Sequence, residues 1–258
     1  MIGMRLEPRP GAASVPSRIA AQTATEVRLT LRNGEQLLLT ILIPLLLLVG
    51  LTVVPVDAVS EADGRAERLA AVLPGVIALA VMSTAFTGLA IGTGFERRYG
   101  VLKFLGSTPL SRSGLVAAKT LAVLAIEALQ VLLLLVVAAL LGWSPTGAPL
   151  AVLIVVLAGT AAFAGLALLM AGTLRAEATL AAANLVYLLL LLGGGVVVPL
   201  DRYPNGVQPF IELLPSGALG EGLRIAMSGG GLSWSHVLVM VTWALAGLGL
   251  AARTFHWE

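Results

Sequence analysis

A series of long apolar runs limits most severely what this chain can fold into. The first, "QLLLTILIPLLLLVGLTVVP" (Gln36–Pro55), holds the roughly 20 residues that a helix needs to cross a bilayer core. Five more follow, at about Leu73–Gly94, Leu115–Leu141, Leu150–Gly172, Leu180–Pro199 and His236–Ala252. In hydrocarbon every backbone N–H and C=O must find a partner without water, so a run of this length forms a helix. Composition agrees, since 58% of the 258 residues are hydrophobic and 12% are charged, about half the charge of an ordinary soluble domain. The fold class expected is an all-α polytopic membrane protein with six transmembrane helices.

Charge then orients the chain. Six spans put both termini on one side. Placing them in the cytoplasm gives twelve cations inside: Arg5, Arg9, Arg18, Arg28, Arg32, Arg97, Arg98, Lys103, Arg112, Lys119, Arg175 and Arg253. Four remain outside: Arg65, Arg68, Arg202 and Arg224. That imbalance follows the positive-inside rule. A net charge of only +2 gives no reason to expect nucleic acid as a partner; the lipid bilayer is the expected surrounding. Cysteine is absent, which excludes disulfides, thiolate metal sites and cysteine nucleophiles.

Residues 1–35 read as a cytoplasmic tail and helix ahead of a membrane domain at 36–258. The first 13 residues are rich in Pro and Gly and are expected to be loose. From Ser14 a helical pattern begins, with Val15, Ile19, Thr23, Val27 and Leu31 every four residues, Pro16 in the first turn and Asn33-Gly34 as a stop. The stripe predicts an N-terminal amphipathic interface helix. The first apolar run lies behind this polar segment and reads as an uncleaved first span, bent at Pro44. A short acidic loop with Asp57, Glu61, Asp63 and Glu67 leads to the second.

The most polar stretch between spans is "FERRYGVLKFLGSTPLSRSGLVAAK" (Phe95–Lys119). Phe95, Tyr99, Leu102 and Leu105 fall at helical spacing, and Gly106 with Ser107–Pro109 ends the helix. Charge alone makes this an ordinary cytoplasmic loop. The apolar stripe adds an edge able to dock into a groove on another protein. A second unusual segment, "PLDRYPNGVQPFIELLPSGALGEGLRIAMSGGG" (Pro199–Gly231), is too apolar for an open loop and too interrupted for a span. Its spacing predicts two short helices, with Glu221 and Arg224 able to pair at i,i+3. They are expected to form a re-entrant helical hairpin between helices 5 and 6, its irregular backbone covered by protein.

These two segments resemble the ABC-2 type permeases. Members carry a Glu-Arg-rich helix, a Gly, a Thr-Pro-Leu turn and a lysine at the start of the third span. The corresponding residues are Glu96-Arg97-Arg98, Gly100, Thr108-Pro109-Leu110 and Lys119. A pattern shared with the family's re-entrant element runs from Ile211 through Pro215 to Arg224, although the usual aromatic after the proline is replaced by Gly217 and Ala218. The resemblance spans nearly the whole chain. It implies the permease subunit of an ABC exporter, of the drug-resistance-exporter kind, in the bacterial inner (cytoplasmic) membrane. It also implies a pair of ABC ATPase subunits and a second permease subunit, making a homodimer or heterodimer. Residues Glu96, Arg97, Arg98, Tyr99, Leu102 and Leu105 would then couple to the ATPase. The alternative is a substrate-binding membrane subunit of an importer, or a secondary carrier that needs no ATPase.

Other chemistry is thinly represented. No GxxxxGK[ST] loop occurs, so the chain is not expected to be an enzyme or to bind a cofactor; the resemblance implies that ATP and Mg belong to a partner ATPase. Ser216 and His236 invite comparison with an intramembrane protease, but Leu214-Pro215-Ser216-Gly217 lacks the first glycine of Gly-x-Ser-Gly. Ser216 reads instead as a helix N-cap. His256 is the other histidine, and no metal site is expected. Glu127, with Gln130 one turn on, is the acid set deepest in a span, and an interhelical hydrogen bond is favoured over a substrate role. Gly88 and Gly92 form a GxxxG pair that suggests close helix packing. Asn184 and Tyr187, with the mild polarity of Thr84 and Thr87, are the candidates for the substrate pathway.

Overall fold

The computed structural model describes residues 11, 13–54 and 64–254. Most of the Pro/Gly-rich start, Asp57, Glu61 and Asp63 of the acidic loop, and His256 lie outside the described residues. Those described are helical or loop, without a strand. Helices α1 (Val15–Arg32) and α2 (Gly34–Val53) are followed by α3 (Arg65–Met82), which passes through a π-helical stretch, Ser83–Gly88, into α4 (Leu89–Arg98). Then come α5 (Val101–Gly106), α6 (Arg112–Leu140), α7 (Pro149–Thr173) and α8 (Ala176–Gly193). Two short helices, α9 (Gln208–Glu212) and α10 (Pro215–Met227), precede α11 (Trp234–Thr254). Among the described residues, six helices are long and apolar enough to cross a membrane: α2, the continuous α3–α4 rod, α6, α7, α8 and α11.

Local chemistry sets several boundaries. Asn33 ends α1 and begins α2, its side chain accepting a hydrogen bond from the Gln36 amide at 3.2 Å, the N-cap interaction that satisfies an orphan amide donor. The second span starts earlier and ends later than the expected Leu73–Gly94, because Gly64 precedes a helix-compatible first turn. There Arg68 donates to the Thr52 carbonyl in the last turn of α2 at 3.2 Å. The fifth span is shorter than expected. It stops at Gly193, where Gly194 and a left-handed Gly195 (φ 69°) turn the chain well before Pro199.

The interior is built on α3 and α7, which are buried along most of their length; Phe86 of the π stretch meets Phe163 with ring centroids 6.1 Å apart. Helices α2 and α8 instead expose Leu38, Leu42 and Leu46, and Leu185, Leu188 and Leu192. Such surfaces are stable in lipid or against another chain. Helices α7 and α11 cross in close backbone contact. A Cβ added at Gly165 would lie 2.7 Å from the Leu248 nitrogen, and one at Gly247 would lie 2.7 Å from the Gly165 carbonyl carbon. The expected pair, Gly88 and Gly92, makes no such crossing: Gly92 has nothing within 4 Å of its Cβ position, and both line a cavity. Spacing alone cannot tell a glycine that admits a neighbouring helix from one that leaves space.

Between α8 and α11, α10 is buried against α3, α7 and α11. Its C-terminal end touches the start of α7, where Ala148 donates to the Ala226 carbonyl at 3.1 Å. The Trp243 indole of α11 donates to the Leu213 carbonyl at 2.9 Å. Ser216 is a correction: Leu214 is the N-cap, Pro215 follows, and Ser216 is fully buried without a cap bond.

Candidate functional site

Polar side chains concentrate at the end of the bundle that carries α1 and α5. Lys119, about two turns into α6, is 2% exposed and sits between two carboxylates: Glu26 of α1 at 3.0 Å and Glu96 of α4 at 2.7 Å. The Glu96 contact is an ion pair lying off the line of a hydrogen bond. Three helices are therefore tied through one ammonium. The next two residues of α4 reach elsewhere. Arg97 donates to the carbonyls of Ala171 (3.2 Å) and Leu174 (2.7 Å) at the end of α7, and Arg98 pairs with Glu177 of α8.

The single helix expected over Phe95–Leu105 is broken. Gly100 is left-handed, with φ of 78°, a conformation that glycine adopts without a Cβ penalty. The break turns α5 away from the axis of α4, so the expected stripe divides. Leu102 is fully buried against Leu115, flanked by Leu105 and Leu110. Tyr99 (74% exposed) and Phe104 (71%) face outward, with Val101 beside them. Phe104 was absent from the stripe read at unbroken helical spacing. The turn beyond α5 is held on both sides: Thr108 donates to the Leu105 carbonyl at 2.6 Å, and Arg18 of α1 donates to the Pro109 carbonyl.

Deeper in the bundle the polar candidates separate. Gln130 ties three helices, donating to the Thr40 carbonyl of α2 at 2.7 Å and accepting from Thr84 at 3.2 Å. Glu127 is fully buried and accepts a hydrogen bond from Thr160 of α7; its other oxygen has no hydrogen-bond partner. Tyr187 is hydrogen-bonded to Ser83 of the π stretch, whereas Asn184 is exposed on α8. Thr84 and Thr87 line a cavity of about 370 Å³ that extends from the π stretch to Glu96 and Lys119. Asn184 and Tyr187 do not line it.

At the opposite end, Arg224 pairs with Glu221 at 3.2 Å and donates to the carbonyls of Gly195 (3.0 Å) and Val196 (2.9 Å). These are carbonyls that the early stop of α8 leaves without a helical partner. Burial pushes the Arg224 guanidinium below its usual range, against the opposing pull of Glu221, Asp201 and Tyr203. Pro215 opens α10 and directs it across this turn. His236 meets Ser233, with Nδ1 2.7 Å from its Oγ.

Comparison with known proteins decides the family. The model of the ABC-2 type transporter family matches residues 18–228. The chain belongs to that family. The match runs from α1 through α10 and so includes both polar ends of this ABC-2 type transporter. It is also similar to YvfS of Bacillus subtilis (strain 168), described as a transport permease. The two are 25% identical over 232 residues, covering 87% of this chain and 91% of the relative. The six apolar helices, the family and the relative make this a multi-pass bacterial membrane permease without catalytic activity of its own.

Proposed function

We propose that this chain is the permease subunit of an ATP-driven ABC exporter. It works with a second permease subunit, as homodimer or heterodimer, and with a pair of ATPase subunits that hold ATP and Mg. The observation that carries this reading is the outward pair Tyr99 and Phe104 on a segment anchored to three spans. Glu96 is ion-paired to Lys119 of α6, Arg97 is bonded to α7 and Arg98 is paired with α8. An exposed aromatic tip offers contact area to a partner. Its charged base gives a push on that tip a route to several helices at once. Leu102 and Leu105 support this tip from beneath.

Several further features support the arrangement. Twelve of sixteen cations fall on the side that would be cytoplasmic, with both termini. Helix α1 packs on α6 while leaving Val15, Leu29 and Leu31 exposed, as suits a helix lying in the membrane interface. Helix α10, covered by α3, α7 and α11, has the protection that a re-entrant element needs. Exposed α2 and α8 leave apolar surface for the second permease. Thr84, Thr87, Asn184 and Tyr187 remain the pathway residues of this proposal.

Affinity purification of the full chain in mild detergent from its host tests the reading. A stoichiometric partner carrying a Walker A loop is expected, and Phe104→Asp should lose it while the chain stays monodisperse. A chain that purifies alone and still moves a solute would instead favour an ATPase-independent carrier. Retrieval of the ATPase with uptake rather than efflux in membrane vesicles would favour the importer.

A further inference from the structure

The cavity between α1, α2, α4 and α6 carries an unbalanced charge. Its charged lining residues are Glu26, Glu96 and Lys119, two carboxylates against one ammonium. Neighbouring cations are engaged elsewhere: Arg97 on the carbonyls of Ala171 and Leu174, Arg98 on Glu177, and Arg18 on the Pro109 carbonyl. An excess negative charge inside a membrane protein is costly unless a counter-charge shares the site.

A second feature is independent of charge. Hydroxyls in apolar helices commonly bond back to the carbonyl four residues earlier, as Thr120, Thr160 and Thr242 do here. Thr93 and Thr87, both in the cavity wall, have no hydrogen-bond partner for Oγ1, and Thr93 is 1% exposed. An ammonium carries three donors and no acceptor, and two carboxylates with free hydroxyl oxygens are acceptors suited to it. Beyond them the walls turn apolar at Leu39, Leu89, Val123 and Ile126. Gly88 and Gly92 keep the space open, and the volume of about 370 Å³ lies within the range of small-molecule sites.

We propose that this cavity binds an amphipathic ammonium compound within a single chain. The cationic head lies among Glu26, Glu96 and Thr93, and the apolar body extends along the wall toward the π stretch. Treating the occupant as cargo rests on the transport reading; binding itself does not require transport. The ammonium belongs either to a free amphipathic amine or to the headgroup of phosphatidylethanolamine.

The test uses the full chain in phosphatidylglycerol nanodiscs, with empty discs as blank and dansylcadaverine fluorescence as the readout. Saturable binding of the amine is expected, with affinity at least about tenfold higher than for its uncharged N-acetyl derivative. Glu96→Gln should abolish that preference. Gly92→Leu, which keeps every charge and fills open space, should weaken binding comparably. Equal binding of the two probes, or full binding by both variants, overturns the site. Adding phosphatidylethanolamine separates the sources: displacement of the probe identifies the lipid headgroup, and undiminished binding identifies a free amine. A chain that retrieves its ATPase but shows no charge preference loses this site and keeps the exporter reading.

Discussion

Gly165 and Gly247 bring α7 and α11 into backbone contact, and a Cβ on either would fall 2.7 Å from the other helix. Helices in lipid gain little from the hydrophobic effect on meeting, so close approach through small residues supplies the van der Waals energy that joins them. Gly247→Val should destabilise the fold by about 2–3 kcal/mol through overpacking. Gly249→Val, two residues on and facing open space, should be nearly neutral. Thermal denaturation in detergent, followed by size-exclusion chromatography, compares the two; equal losses would remove the special role of the crossing.

The Arg98–Glu177 pair links the base of the aromatic tip to α8. Both side chains are more than half exposed, so Arg98→Glu should change stability by less than about 1 kcal/mol. Transport should fall sharply if the pair transmits motion. Exchanging the charges, with Arg98→Glu and Glu177→Arg together, should recover most of it. Normal efflux by the single variant would assign the pair to the surface alone.

Glu127 and Thr160 hold α6 to α7 in the middle of the bundle. Interhelical hydrogen bonds in membranes contribute about 0.6 kcal/mol on average. Glu127→Gln, which keeps an acceptor, should leave both stability and transport close to wild type. Thr160→Val should lower stability by roughly 1 kcal/mol without changing substrate preference. A selective loss of transport in Glu127→Gln, at unchanged thermal stability, would make the carboxylate functional.

Arg224 supports the turn after α8 as well as Glu221. Arg224→Ala leaves the Gly195 and Val196 carbonyls without their donor and should cost about 2–3 kcal/mol. Arg224→Lys keeps the charge but loses the forked donor geometry, and should recover only part of that stability. Trypsin cleavage near Arg202 would report the loosened turn. Full stability of the alanine variant would leave the turn to its glycines.

Six apolar runs were legible because a bilayer imposes length and hydrophobicity on each span separately, with no knowledge of its neighbours. Gly100 and Pro109 likewise marked their loop through local backbone chemistry. Their tertiary consequences were not local. Helical spacing grouped Leu102 with Tyr99, but the left-handed turn at Gly100 buried one and exposed the other. Glu26 and Lys119 stand far apart in the chain, and their meeting with Glu96 depends on α1 lying against α6. The same holds for glycine. The pair in GxxxG spacing opens a cavity, while Gly165 and Gly247, on different helices, make the tight crossing. By itself the sequence determined how many helices cross the membrane and where basic and apolar residues fall along them. Only the tertiary structure decided which glycines touch and which charges meet, because helix packing brings together residues that chain order keeps apart.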